Sequence, residues 1–236
     1  MNSAILEIDS LNVSYGETRV IKDLSMKCQH GEILAILGRN GMGKTTLLKS
    51  IAGVLPPDSG QIDFRGEDIT DLQAEKRALK GITLIPQGRE IFPDLTVAEN
   101  LKMGSYAAGD RDALDRDRIF EYFPILEERL QQKGGTLSGG QQQMLAIGRG
   151  LIANPDLMLL DEPSEGIQPS IINQIGDIIP DIHQKENVPV VIVEQNIDLV
   201  FDVADRGYII ENGRMVEDGL IEELQDDALI KEYIGI

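Results

Sequence analysis

The stretch Gly38-Arg39-Asn40-Gly41-Met42-Gly43-Lys44-Thr45-Thr46 restricts what this chain can fold into more than any other. The short, mostly apolar run Glu32-Ile33-Leu34-Ala35-Ile36-Leu37 before it predicts a buried strand. After it, Leu47, Leu48, Ile51 and Ala52 recur at helical spacing, and Gly53 suits a helix C-terminus. The glycines therefore stand at a strand-to-helix turn, which requires an α/β core. Gly38, Gly43, Lys44 and Thr45 have the spacing G-x-x-x-x-G-K-[ST] of a phosphate-binding P-loop. Glycine lets backbone N–H groups wrap a phosphate with no Cβ in the way. The helix N-terminus adds roughly half a positive charge. Lys44 supplies a full charge for the β- and γ-phosphates, Asn40, Gly41 and Thr46 flank their path, and the Thr45 hydroxyl is placed to ligate Mg²⁺.

The length of 236 residues fits one domain with a subdomain. A formal charge of −18 and no Lys/Arg cluster make nucleic acid a poor partner. Cys28 is alone, so neither an internal disulfide nor a cysteine-rich metal site is expected. The run Met1–Asp9 lacks the charged start and long apolar core of a signal peptide. No apolar run approaches the ~18 residues of a membrane span. These features predict a cytoplasmic chain that serves a membrane only through a partner.

Residues 5–35 read as β-rich: Leu6-Glu7-Ile8 and Leu11-Asn12-Val13-Ser14 alternate, and a third strand runs from Ser25 to Cys28. Tyr15 sits between strands, where its ring either packs on its neighbours or stacks on a nucleotide base. Gln61–Phe64 and Ile82–Ile85 predict strands, with a polar helix over Gln73–Leu79 between them, and the second strand runs into Pro86-Gln87-Gly88-Arg89. Residues 92–153 predict a helical subdomain inserted into a core of 1–91 and 154–236. Thr96 and Glu99 form a capping box at its start, Arg111–Phe123 a charged helix that Pro124 ends.

Leu137-Ser138-Gly139-Gly140-Gln141 precedes another helix. Ser138 and Gln141 fit a capping box and nothing more, but two glycines in a first turn cost roughly 1 kcal/mol each against alanine. They make sense where exposed N–H groups must approach an anion. Leu157-Met158-Leu159-Leu160 predicts a central parallel strand ending in Asp161-Glu162, where ligands bind in open α/β sheets. Asp161 would hold Mg²⁺ and Glu162 would polarise the attacking water; the alternative is an acidic start to the next helix. The rest predicts a helix from Ser170, a strand Pro189–Val193, a helix Ile197–Ala204, a hairpin of Gly207–Glu211 and Arg214–Glu217 about Asn212-Gly213, and a short surface helix in the acidic tail from Glu222 to Ile236. His30 and His183 read as surface residues.

Gly38–Thr45, Leu137–Gln141 and Leu157–Glu162 together resemble the ATP-binding cassette (ABC) ATPases across essentially the whole chain. The resemblance implies a P-loop NTPase fold of ABC type, with an N-terminal antiparallel β region and an inserted α-helical subdomain. It implies ATP and Mg²⁺ as cofactors, Tyr15 as the base-stacking aromatic, and Gln87 as a contact to Mg²⁺ and water. Ser138, Gly139, Gly140 and Gln141 would face the γ-phosphate held by a second cassette in a head-to-tail dimer. Where the family usually carries histidine after the last core strand, this chain has Gln195, and Gln168 replaces the aspartate in the loop after Glu162. Glutamine orients a water but cannot titrate near neutral pH.

Val193-Glu194-Gln195-Asn196 and Met144–Arg149 resemble the ATPases of branched-chain amino-acid importers; Gly38–Gly41, Pro86–Phe92 and Glu165–Ser170 look more like the urea-importer type. That group implies ATP hydrolysis driving uptake at the inner face of the cell membrane. Its partners would be a second ATPase subunit (a heterodimer, with a homodimer as the other arrangement), two membrane permease subunits and, indirectly, a solute-binding protein. The rival readings are a low-turnover, ATP-dependent dimerisation switch and a non-transport ABC ATPase.

Overall fold

A computed structural model of the chain describes residues 4–107, 115–226, 229, 230 and 233. Two sheets carry the fold. The first is antiparallel, in the order β2-β1-β4-β5, with β1 Ala4–Tyr15, β2 Thr18–Gln29, β4 Ser59–Phe64 and β5 Glu67–Asp68. The second has the order β10-β9-β3-β8-β7-β6. Its strands β3 Ile33–Leu37, β6 Ile82–Ile85, β7 Leu157–Asp161, β8 Val190–Glu194 and β9 Arg206–Glu211 run parallel, and β10 Arg214–Leu220 returns antiparallel to β9.

All of β3, β7 and β8 is buried, as expected of parallel strands covered on both faces. Alternate residues feed two cores. Leu34, Ile36, Leu157, Leu159, Val191 and Val193 pack with the antiparallel sheet and with α1, Lys44–Ile51. Ala35, Leu37, Met158, Leu160 and Ile192 pack with the helices of the other face.

Those helices include the described part of the segment between β6 and β7. It holds α3 Val97–Ala107, α4 Arg116–Tyr122, α5 Pro124–Glu128, a 3₁₀ turn at Gly134–Thr136 and α6 Gly139–Ile152, preceded in the chain by α2 Ala74–Leu79. Leu101, Ile119, Leu126 and Leu145 share one hydrophobic core with the sheet. Beyond it lie α7 Pro169–Glu186, α8 Ile197–Val203 and α9 Ile221–Leu224. No helix among the described residues is long and apolar enough to cross a membrane.

Several expectations need correction. The two expected N-terminal strands are one, β1, whose alternation is interrupted by register shifts around Ser10, a residue with φ of 50°. The expected third strand is the end of a longer β2. Pro124 does not merely close α4 but opens α5 from its first position, where its missing N–H costs nothing. The start of the charged helix expected from Arg111 lies partly outside the described residues, as does part of the acidic tail; α9 buries Ile221 and Leu224. His183 is partly exposed, and its Nδ1 lies 2.8 Å from the Val188 carbonyl oxygen at the end of α7.

Candidate nucleotide site

Strand β3 delivers its backbone into the glycine loop, and two backbone features shape the turn. Gly38 has φ of 153°, and a Cβ there would stand 2.4 Å from the Ile210 carbonyl oxygen. Gly43 caps α1 with φ of 107°, which L side chains rarely adopt. The hairpin of β9 and β10 braces the loop from outside. Gly213 N–H donates to the Met42 carbonyl at 3.1 Å, and Asn212 N–H to the Met42 sulfur at 3.2 Å.

Lys44 is 4% exposed. Its ammonium donates to the carbonyls of Gly38 at 2.6 Å and Arg39 at 3.1 Å, and stands 3.8 Å from Glu162 Oε1. Burial lowers its pKa, against the pull of Glu162, Asp161 and Glu194. Thr45 donates from Oγ1 to Asp161 Oδ1 at 3.0 Å. Asp161 is buried, and desolvation, with the nearby charge of Glu162, raises its pKa despite the Thr45 bond. Thr45, Gln87, Glu162 and Lys44 line one hollow of about 280 Å³, with Val20, Asn40, Gly41, Gly43 and Thr46.

Glu162 follows β7 with φ of 48°, a left-handed conformation that costs roughly 1–2 kcal/mol in a non-glycine residue. Its N–H donates to Val193 O at 2.8 Å. Both carboxylate oxygens accept amide N–H groups: Gln195 Nε2 at 2.9 Å on Oε1 and Gln87 Nε2 at 3.1 Å on Oε2. Gln195 Nε2 also meets Asn40 Oδ1. Gln87, for which the family resemblance implies a contact to Mg²⁺ and water, has its amide nitrogen on Glu162 and its backbone N–H on Asp161. Gln168 precedes α7, exposed and without a capping bond to that helix.

Tyr15 lies outside that hollow, 49% exposed at the end of β1, so its ring is not packed into the core. The segment Ser138–Gln141 lies at the start of α6, also outside it. The expected capping box is present: Gln141 N–H donates to Ser138 Oγ at 3.4 Å, and Ser138 N–H to Gln141 Oε1 at 3.1 Å. One expectation changes. Gly140 is buried, and a Cβ there would stand 2.6 Å from Ile171 Cγ2, so helix packing against α7 demands this glycine. Gly139 stays partly open beside the Arg89 guanidinium.

Three contributors were not read from the sequence. Arg89 donates to the carbonyls of Glu165 at 3.0 Å and Gly166 at 3.4 Å, beside the start of α6. Arg77, 1% exposed, donates to four backbone carbonyls, of Leu72, Ser50, Ile51 and Thr70, and so fixes the rear of α1. Glu194 is a buried carboxylate between the loops that follow β7 and β8. Only its place after an apolar strand signalled it.

The glycine loop, an ammonium group, a hydroxyl–carboxylate pair and a further carboxylate held by two amides define a nucleoside-triphosphate-hydrolysing cassette. The profile of the ABC transporter family matches residues 21–165, and the chain belongs to that family as an ATP-binding, ATP-hydrolysing subunit. It is 44% identical over 213 residues to the high-affinity branched-chain amino acid transport ATP-binding protein BraG of Pseudomonas aeruginosa, covering 90% of this chain and 91% of that one. It is 36% identical over 237 residues to the lipopolysaccharide export system ATP-binding protein LptB of Haemophilus influenzae, covering 98% of each. The solved ADP conformation of an ATP-binding cassette of an ABC transporter superposes with a TM-score of 0.87 at 28% identity, over 99% of this chain and 100% of that one.

Proposed function

We propose that this cassette energises an importer for branched-chain amino acids, working at the inner face of the membrane with two permease subunits and a second, different cassette. The observation that carries the hydrolytic part is the bracketing of Glu162 by Gln87 and Gln195, 3.8 Å from Lys44. Glu162 takes a proton from the attacking water. Gln195 and Gln87 hold that carboxylate by its two oxygens, and Lys44 leaves the Gly38 and Arg39 carbonyls for phosphate oxygens. Mg²⁺ fits the pair Thr45–Asp161, because a buried carboxylate whose pKa burial raises gains from an adjacent cation. Thr45 and Asp161 are the residues of this chain that would hold the ion. When bound, the ion neutralises charge on the β- and γ-phosphates.

The identity to BraG supports the amino-acid reading, as does the 35% identity over 234 residues to the probable branched-chain amino acid transport ATP-binding protein LivF of Archaeoglobus fulgidus. Urea is the second reading, and it rests on the motifs Gly38–Gly41, Pro86–Phe92 and Glu165–Ser170 alone. A groove of about 360 Å³ where α3 and α6 meet β6, lined by Leu84, Phe92, Met103 and Arg149, suits an amphipathic cytoplasmic segment of a permease. Ser138–Gln141 would face the γ-phosphate of the second cassette's ATP, and Tyr15 would stack on the adenine of this one's.

The test is reconstitution of the cassettes, permeases and solute-binding protein in liposomes, with labelled leucine or labelled urea outside and ATP inside. Leucine uptake that is lost in Lys44→Ala, together with ATP binding, is the expected result. Uptake of urea but not leucine selects the second reading, and uptake of neither overturns both.

A further inference from the structure

Glu194 ends β8, 2% exposed, and the mechanism above gives it no role. Its carboxylate accepts three backbone N–H groups. Oε1 takes Ser164 N–H at 2.7 Å, and Oε2 takes Gln195 N–H at 2.9 Å and Asn196 N–H at 3.1 Å. Ser164 stands two residues beyond Glu162, and Gln195 holds Glu162 and Asn40 through its side chain. One buried carboxylate therefore ties together the loop that carries the reacting carboxylate and the loop that carries its amide partner. A hydrogen bond from a backbone N–H to a charged acceptor is stronger than a neutral one.

We infer that Glu194 is a positioning residue for ATP hydrolysis: it acts through the backbone of Gln195 and sets where that amide stands against Glu162. A carboxylate is needed because both oxygens must accept. A carboxamide there offers one acceptor oxygen and one NH₂ group, and the NH₂ group would face an N–H donor. The Asn196 side chain also accepts from Leu199 N–H at 3.2 Å, so α8 starts from this same anchored turn. A disturbance at Glu194 thus reaches the turn that carries Gln195 and Asn196.

The inference rests on the reading of Gln195 as a partner of Glu162, and a double-mutant cycle in the assembled transporter separates the two. Glu194→Gln is expected to lower kcat about tenfold with KM for ATP within about twofold, because none of the N–H groups that Glu194 accepts belongs to the phosphate loop. In a Gln195→Ala background the same change is expected to do almost nothing further, since its route of action is gone. A full tenfold loss in that background overturns the inference, as does an unchanged kcat in Glu194→Gln alone. If Gln195→Ala by itself leaves hydrolysis intact, the reading of Gln195 fails and takes the inference with it. Should Glu194→Gln not fold, Glu194→Asp keeps both acceptor oxygens on a shorter arm and serves in the same cycle.

Discussion

Gln195 donates from one amide nitrogen to both Glu162 Oε1, at 2.9 Å, and the P-loop residue Asn40. That nitrogen joins the phosphate-binding turn to the reacting carboxylate and carries no titratable proton. Replacing Gln195 by histidine therefore adds a titration that the native site lacks. The pH–rate profile of Gln195→His is expected to show an inflection at or above about 6.5, since Glu162 favours the imidazolium. The native profile should show none that Gln195→Ala removes. An inflection lost in Gln195→Ala would place a different proton donor beside Glu162.

Glu162→Gln tests the carboxylate itself. The amide nitrogens of Gln87 and Gln195 both point at this side chain, and a carboxamide has one acceptor oxygen for the two. One bond is lost and no base remains, so turnover should fall by about 10²–10⁴-fold while ATP is still bound. Single-turnover hydrolysis and equilibrium dialysis with labelled ATP measure the two separately.

Asp161 makes a stability prediction whose sign follows from its burial. Its pKa in the folded chain lies above that of the unfolded chain, so the folded state holds the proton more tightly. Stability falls as pH rises from about 3.9 through the raised value, and above that range the charged carboxylate is a constant cost. Asp161→Asn should raise the nucleotide-free melting temperature at pH 7 by a few degrees, the scale of about 1 kcal/mol in a chain of this size. The gain should shrink toward pH ~4, and Mg²⁺-dependent hydrolysis should be lost. Melting curves across pH check the first, and a phosphate-release assay the second.

Gly140→Ala sets packing against chemistry at the start of α6. The new methyl would stand 2.6 Å from Ile171 Cγ2, an overpacking cost of about 1–3 kcal/mol. Combining it with Ile171→Ala should recover most of that cost, a coupling that thermal or urea unfolding of the four variants reads directly.

Much of the site was legible because its motifs are local. The P-loop, the capping boxes at Thr96–Glu99 and Ser138–Gln141, the limits of Ile82–Ile85 and the Asn212-Gly213 turn each depend on residues a few positions apart. What escaped depends on distant partners. Arg77 lies in a helix whose sequence is polar, yet the carbonyls at the end of α1 draw it inside. Gly140 looked like an opening for an anion because Ile171 stands 31 positions later in the chain. Glu194 reveals its part only once two loops from separate strands are side by side.

The brace between Met42 and the Asn212–Gly213 turn joins positions 170 residues apart. Strand β3 likewise finds its neighbours only in β8 and β9, both from the last quarter of the sequence. A nascent chain has therefore already made its glycine loop long before the strands that flank β3 and the turn that braces Met42 exist. ATP-binding competence should arrive late and all at once during synthesis, so that chains released before β10 bind no nucleotide despite containing every residue of the motif.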